Sequence, residues 1–158
     1  MNDFKNSQLS LSKFCQGKGL EIGIDSFPIV CTSIKLIQKN SFDNLSFISD
    51  SCFDFVYTSY FLNKFNYEDI KRFVLEMRRT LKFYGYLILS LPNKEKYLKY
   101  SNQNNINDNL KIIEHDLSLE SYRNKVLPFT LKWNEIYAQD EFGDFSWHLV
   151  LKKLRKED

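Results

Sequence analysis

Three clusters of residues in this sequence have types and spacings that could do chemistry. Glu21-Ile-Gly23-Ile-Asp25 sets two carboxylates around a glycine at the end of a short apolar run. Backbone approaches a ligand closely only where side chains are absent, so a glycine there gives access to a bound group. The same residues also serve as plain strand-end punctuation. In the second cluster, Asp54 lies within Phe53-Asp-Phe-Val-Tyr57, where its carboxylate either faces a ligand crevice or caps a nearby backbone turn. The hydroxyl residues Tyr57, Ser59 and Tyr60 follow directly. The third is His115, between Glu114 and Asp116, which reads either as a base or as a solvated loop histidine.

Other chemistries lack the residues they need. Cys15, Cys31 and Cys52 are widely spaced with no Cys-x-x-Cys pair, and two histidines, His115 and His148, are too few and too separated for a zinc site. No metal is therefore expected. An odd number of cysteines behind an N-terminus without an apolar run argues for reduced thiols and a cytoplasmic protein. The apolar run Tyr86 to Leu91 has the length of a buried strand, far short of the roughly 20 residues that span a bilayer. With 22 basic and 20 acidic residues, a net charge of +2 and no basic block, neither nucleic acid nor membrane is expected as a partner.

The elements that must position these residues alternate. The length of 158 residues fits one domain, 1–158, and a 16% aromatic content suffices for one packed core. Residues 1–14, with Phe4, Leu9, Leu11 and Phe14, read as an N-terminal helix packed on a sheet. Leu20–Ile24, Ser33–Ile37 and Phe53–Tyr57 read as strands, the last apolar enough to be central. Tyr67–Leu81 is the best helix: Ile70, Phe73, Val74, Met77 and Leu81 share one face, Asn66 is its N-cap and Gly85 its stop. Tyr86–Leu91 is the next strand, closed by Pro92. An exposed loop region, 101–117, follows, rich in Asn. Leu119–Val126 reads as a short helix behind Ser118, and Thr130–Ala138 and Phe145–Leu151 as a hairpin. The pattern predicts an α/β, Rossmann-like fold: a mainly parallel sheet, helices on both faces, and an antiparallel C-terminal hairpin.

The order of these motifs resembles the class I S-adenosylmethionine-dependent methyltransferases, from about Phe14 to Lys153. Gly19-Leu-Glu-Ile-Gly-Ile-Asp25 stands where that family has its acidic-x-Gly-x-Gly loop. The stretch Leu45 to Tyr57 is similar to the run into its fourth strand with the Phe-Asp pair, and Ser59-Tyr-Phe-Leu-Asn-Lys64 to Ser-His-x-Leu-Glu-His. Glu76 to Pro92 is similar to its helix, Leu-Lys-Pro-Gly-Gly turn and fifth strand, and is the most specific part of the likeness.

The resemblance implies S-adenosylmethionine as cofactor, with Glu21, Gly23, Asp25, Asp43, Asp54, Tyr57 and Ser59 around it. Glu21 would accept hydrogen bonds from the methionine ammonium, Asp43 would lie on the adenine side, and Tyr57 or Ser59 near the methyl-bearing sulfur. Tyr60 and His115, with Glu114, are the candidates for a catalytic base. The implied activity is methyl transfer to a small molecule or a sugar precursor. The alternative is a catalytically inactive methyltransferase-like binding or partner subunit, in a homodimer or a heteromeric assembly. Three departures from the family pattern bear on that choice. Asp25 replaces the second loop glycine, Ser33–Ile37 carries no ribose-binding acid (Lys35 or Leu36 stands there), and few residues join the first two strands. A nicotinamide-type oxidoreductase is disfavoured because no Gly-x-Gly-x-x-Gly follows the first strand.

Overall fold

The computed structural model describes residues 11–23, 33–37, 45–103, 118–142, 146–155 and 157. Three strands, β1 (Gly19–Gly23), β2 (Ser33–Ile37) and β3 (Phe53–Ser59), run parallel, with β1 between the other two. The fourth, β4 (Leu81–Pro92), continues the parallel set beside β3, while β5 (Trp133–Phe142) and β6 (Ser146–Lys153) pair antiparallel. The sheet order is β2-β1-β3-β4-β6-β5. The Rossmann-like α/β expectation is thus met, and the antiparallel part sits at the β5 edge. The residues joining β5 to β6, 143–145, lie outside the described set.

Helix α1 (Tyr67–Thr80) forms as its periodicity predicts. Asn66 Oδ1 accepts from the Asp69 N–H at 2.9 Å, satisfying one of the orphan donors at the helix start. Ile70, Phe73, Val74 and Met77 are buried against Leu20, Ile22, Val56, Leu87 and Leu89 of the sheet. At its other end, the Ser51 and Cys52 N–H groups donate to the Arg79 and Thr80 carbonyls, closing that end with backbone from 45–52. Gly85 does not stop this helix. The chain passes from Thr80 directly into β4, and Gly85 lies within that strand. There Phe53 pairs with Leu81 but Phe55 with Tyr86, so residues 82–85 bulge out. Tyr84 takes a left-handed φ of 65°, and a Cβ at Gly85 would sit 2.8 Å from the Asp54 carbonyl.

Helix α2 (Lys94–Gln103) was not anticipated; it takes in the first residues of the expected loop region, of which 104–117 lie outside the described residues. Asn93 Oδ1 accepts from the Lys96 N–H at 3.2 Å and Glu95 lies in the first turn, so the start signals follow Pro92 immediately. Helix α3 (Leu119–Lys125) has Ser118 as its cap, accepting from the Ser121 N–H at 3.1 Å. Strand β5 begins at Trp133, later than its sequence pattern suggests. Leu131 has φ 73° and Thr130 closes the 3₁₀ turn Leu127–Phe129, so the extended run cannot start before them.

One face of the sheet is covered by α1 and α3, with Leu119, Tyr122 and Val126 of α3 in the same core as α1. On the other face, the cover among the described residues is a helical turn at Leu11–Ser12 with Phe14 and Cys15, packed on Phe55, Tyr57, Ile88 and Val150. The remainder of the expected N-terminal helix, 1–10, lies outside the described residues, as do 24–32 between β1 and β2. Among the described residues, no helix is long and apolar enough to cross a membrane.

Candidate functional site

Strand direction and register bring part of the predicted site together. In an open parallel sheet, ligands bind beyond the carboxyl ends of the strands. Register aligns Gly23 of β1 with Ser59 of β3, Ser59 with Ser90 of β4, and Ser90 with His148 of β6. One level deeper the aligned residues are Glu21, Tyr57, Ile88 and Val150. The outer row is glycine and serines across three adjacent strand ends, over a floor of larger side chains. Of this row Ser59 is half-buried, and Ser90 and the aligned His148 are buried.

Glu21 shares this face with Tyr57 and Cys15. Burial pushes the Tyr57 phenol above its ordinary range, and the Glu21 carboxylate pushes it further, while Ser59 and Ser90 within hydrogen-bonding reach pull it back. Burial likewise pushes the Cys15 thiol up to about 12, with Glu21 adding to the effect. The thiol donates to the Leu11 carbonyl, so Cys15 is an inert core residue.

Tyr60 stands just past β3 with a left-handed φ of 52°. For a bulky non-glycine residue this conformation costs of order 1–2 kcal/mol, and surrounding structure must hold it. Two hydrogen bonds do so. The Tyr60 N–H donates to the Ser90 carbonyl at 2.9 Å, and its hydroxyl is bonded to that of Ser146 at the start of β6. Burial raises the phenol's pKa, so at neutral pH Tyr60 keeps its proton and is a poor base.

His148 and its neighbours Ser90 and Ser146 are the site residues that sequence reasoning missed. Burial pushes the His148 pKa down to about 4, leaving a neutral imidazole at physiological pH. A pKa that far below neutral also makes the imidazole a weak proton acceptor. The alternation of β6 puts Ser146, His148 and Val150 on one face, but no local signal says which β4 residues they meet.

Asp54 lies apart from this group, near the amino end of β3. Its carboxylate pairs with Lys82 Nζ at 2.7 Å and accepts the Lys18 N–H at 2.9 Å. The Lys82 hydrogen bond, then that of Lys18, holds its pKa below the ordinary carboxylate value. This arrangement is the backbone cap, one of its two sequence readings. Asp25, Asp43, Glu114 and His115 lie outside the described residues. No group of three or more His, Cys, Asp or Glu able to hold a metal occurs among the described residues.

Known proteins share this fold. Residues 12–89, from before β1 into β4, match the family model described as a methyltransferase domain. Among solved structures, an S-adenosylmethionine-dependent methyltransferase from Methanosarcina mazei matches with a TM-score of 0.58 at 17% identity, covering 93% of this chain and 87% of that one. One from Archaeoglobus fulgidus gives 0.60 at 14%, covering 94% of each chain. One from Mesorhizobium loti gives 0.63 at 8%, covering 96% and 98%. No curated protein matches by sequence.

Proposed function

This chain belongs to the class I S-adenosylmethionine-dependent methyltransferases, with S-adenosylmethionine as cofactor, and from that premise we propose that it methylates a small molecule or a sugar precursor. The observation that carries this reading is the row Gly23, Ser59 and Ser90 over Glu21 and Tyr57, at the carboxyl ends of three adjacent parallel strands.

The residues fit the cofactor's chemistry. A carboxylate at Glu21 suits an ammonium group, and the side-chain-free Gly23 suits close approach of the amino-acid portion. Bound there, the cofactor supplies an electrophilic methyl on a sulfonium. The chain's own residues then need mainly to place the acceptor in line, which accounts for most of such a rate enhancement. The half-buried Ser59 hydroxyl at the end of β3 suits a small polar acceptor, while the Tyr60 and Ser146 hydroxyls are bonded to each other. Where the acceptor must lose a proton, neither the weakly basic His148 imidazole nor the protonated Tyr60 phenol is matched to take it. Asp25 and Asp43 remain proposed cofactor contacts from their positions in the sequence.

A non-catalytic partner or binding subunit is the second reading. The observation favouring it is β2, which pairs in register with β1 yet carries no acidic residue from Ser33 to Ile37. Calorimetric titration with S-adenosylmethionine and S-adenosylhomocysteine separates the two readings. Micromolar binding supports the enzyme; no heat and no thermal stabilisation at millimolar ligand would leave only the partner subunit.

A further inference from the structure

At the opposite end of the sheet, where β4 begins and β6 ends, lies a groove of about 720 Å³. Its walls include Leu75 and Arg78 of α1, Phe83 of the β4 bulge, Leu131, Lys153 and Arg155. Two of its cations are withdrawn from solvent: Arg78 is 7% exposed and Lys153 6%. A buried charge is costly unless a counter-charge or a full set of hydrogen bonds compensates it.

Among the described residues that compensation is incomplete. Arg78 Nη2 donates to the Leu154 carbonyl at 2.8 Å, and the guanidinium lies over the Trp133 ring at 5.0 Å. Its buried Nε has no hydrogen-bond partner. Lys153 Nζ donates to the Leu81 carbonyl and sits 4.9 Å from the Phe83 ring centroid. An ammonium carries three donors, so one carbonyl leaves capacity over. Burial, then the charge of Arg78, pushes the Lys153 pKa down, with Asp50 opposing. Arg79, on the same wall, is by contrast paired with Glu76 and Asp50. Arg155 lies over Phe83 and Tyr84 at 5.4 and 5.6 Å. Glu157 is the acidic residue on the wall, against four cations there. The exposed apolar surfaces of Leu75, Phe83 and Leu131 border the same space.

We propose that this groove is a second binding site, for an organic oxyanion: a carboxylate or phosphate carried on an apolar body. The anion would lie against Arg78 and Lys153 on the groove wall, and the apolar body against Leu75, Phe83 and Leu131. The site is at the far end of the sheet from Gly23 and is independent of the methyltransferase reading.

Trp133, stacked on Arg78, provides the readout. The full chain is titrated with inorganic phosphate, benzoate and phenyl phosphate, followed by tryptophan fluorescence and calorimetry. The expected result is saturable binding of benzoate or phenyl phosphate, at least about tenfold tighter than inorganic phosphate. Lys153→Met should abolish it. Leu131→Glu, at an exposed rim position where folding is not at stake, should weaken it about tenfold by placing a carboxylate in the groove. Which of the two aryl anions binds better identifies the headgroup. The proposal is overturned by no saturable binding of any probe, by inorganic phosphate binding as tightly as the aryl anions, or by binding that survives Leu131→Glu. Displacement of the aryl probe by S-adenosylhomocysteine would also overturn it, because the probe would then occupy the cofactor end.

Discussion

The hydroxyl of Tyr60 is hydrogen-bonded to that of Ser146, 86 positions later in the chain. This contact ties the loop leaving β3 to the first residue of β6 and holds Tyr60 in its left-handed conformation. Tyr60→Phe keeps the ring and removes the hydroxyl, leaving the buried Ser146 side chain without that partner. The expected loss is about 1–2 kcal/mol in urea unfolding. Affinity for S-adenosylmethionine should not change, because the hydroxyl faces β6 and not β1. A stability equal to wild type would show that Ser146 finds another partner.

Glu21 carries the cofactor prediction. Glu21→Ala should weaken S-adenosylmethionine binding by about 1–3 kcal/mol, the value of a charge-assisted hydrogen bond. Calorimetry checks it, and an unchanged affinity would mean that the methionine ammonium lies elsewhere. Because Glu21 raises the pKa of Cys15 and Tyr57, its removal should not destabilise that face by charge.

Gly19 is required by packing. A Cβ there would lie 1.9 Å from Cζ of Phe55 on the neighbouring strand. Gly19→Ala is therefore expected to cost about 1–3 kcal/mol as an overpacked site. Phe55→Leu, which shortens the ring side chain, should be less costly in the Gly19→Ala background than in wild type. Strictly additive costs in that double-mutant cycle would argue against the contact.

The pH dependence of stability tests the burial of His148. Its folded pKa, about 4, lies below the ordinary histidine value of 6.5, so between these limits the unfolded chain binds more protons. Stability should therefore be flat above pH 6.5 and fall as pH drops toward 4, by up to about 3 kcal/mol. Asp54, whose pKa is lowered from 3.8, contributes stability lost only at lower pH, so the window from 6.5 to 5 isolates the histidine. Urea unfolding of wild type and His148→Asn at several pH values checks this. A slope that persists in the variant would assign the effect to another group.

Arg79 fastens the 45–50 turn to α1. Its guanidinium donates to the Leu45 and Ile48 carbonyls at 2.7 and 2.8 Å as well as to Glu76 and Asp50. Arg79→Lys cannot reproduce that planar fork and should cost about 1–3 kcal/mol. Asp50 is mostly exposed, so its ion pair contributes little and is screened by salt. The loss should accordingly be similar at low and high salt; a loss that vanishes at high salt would make the pair, not the carbonyls, the source.

The elements carried by local signals were readable in advance. The face of α1, its Asn66 cap and the Ser118 cap of α3 depend on residues three or four positions apart, and the structure reproduces them. Helix α2 escaped notice because its apolar face is weak, although Asn93 and Glu95 mark its start. Gly85 was misread because a glycine after a helix and a glycine in a strand bulge look alike without the partner strand. Asp54 could be read as a site residue because a Phe-Asp pair in a strand does not show what lies opposite it. Lys82 and the Lys18 N–H, each distant in sequence, settle its role as an ion-paired cap.

The sequence by itself determined the parallel strands, helices α1 and α3 with their caps, and the Glu21-x-Gly23 pair at the end of β1, since each depends on neighbours along the chain. Tertiary structure alone decided which side chains meet. A shift of one residue in the β4–β6 register would turn His148 and Ser146 to the opposite face, away from Tyr60 and Ser90. The same holds at the far end, where Arg78 and Lys153, 75 residues apart, come together only because α1 leads into β4 and β6 returns beside it. Periodicity along a chain sets the face a residue occupies on its own element. Long-range pairing sets its neighbours, and with them its charge state and chemistry.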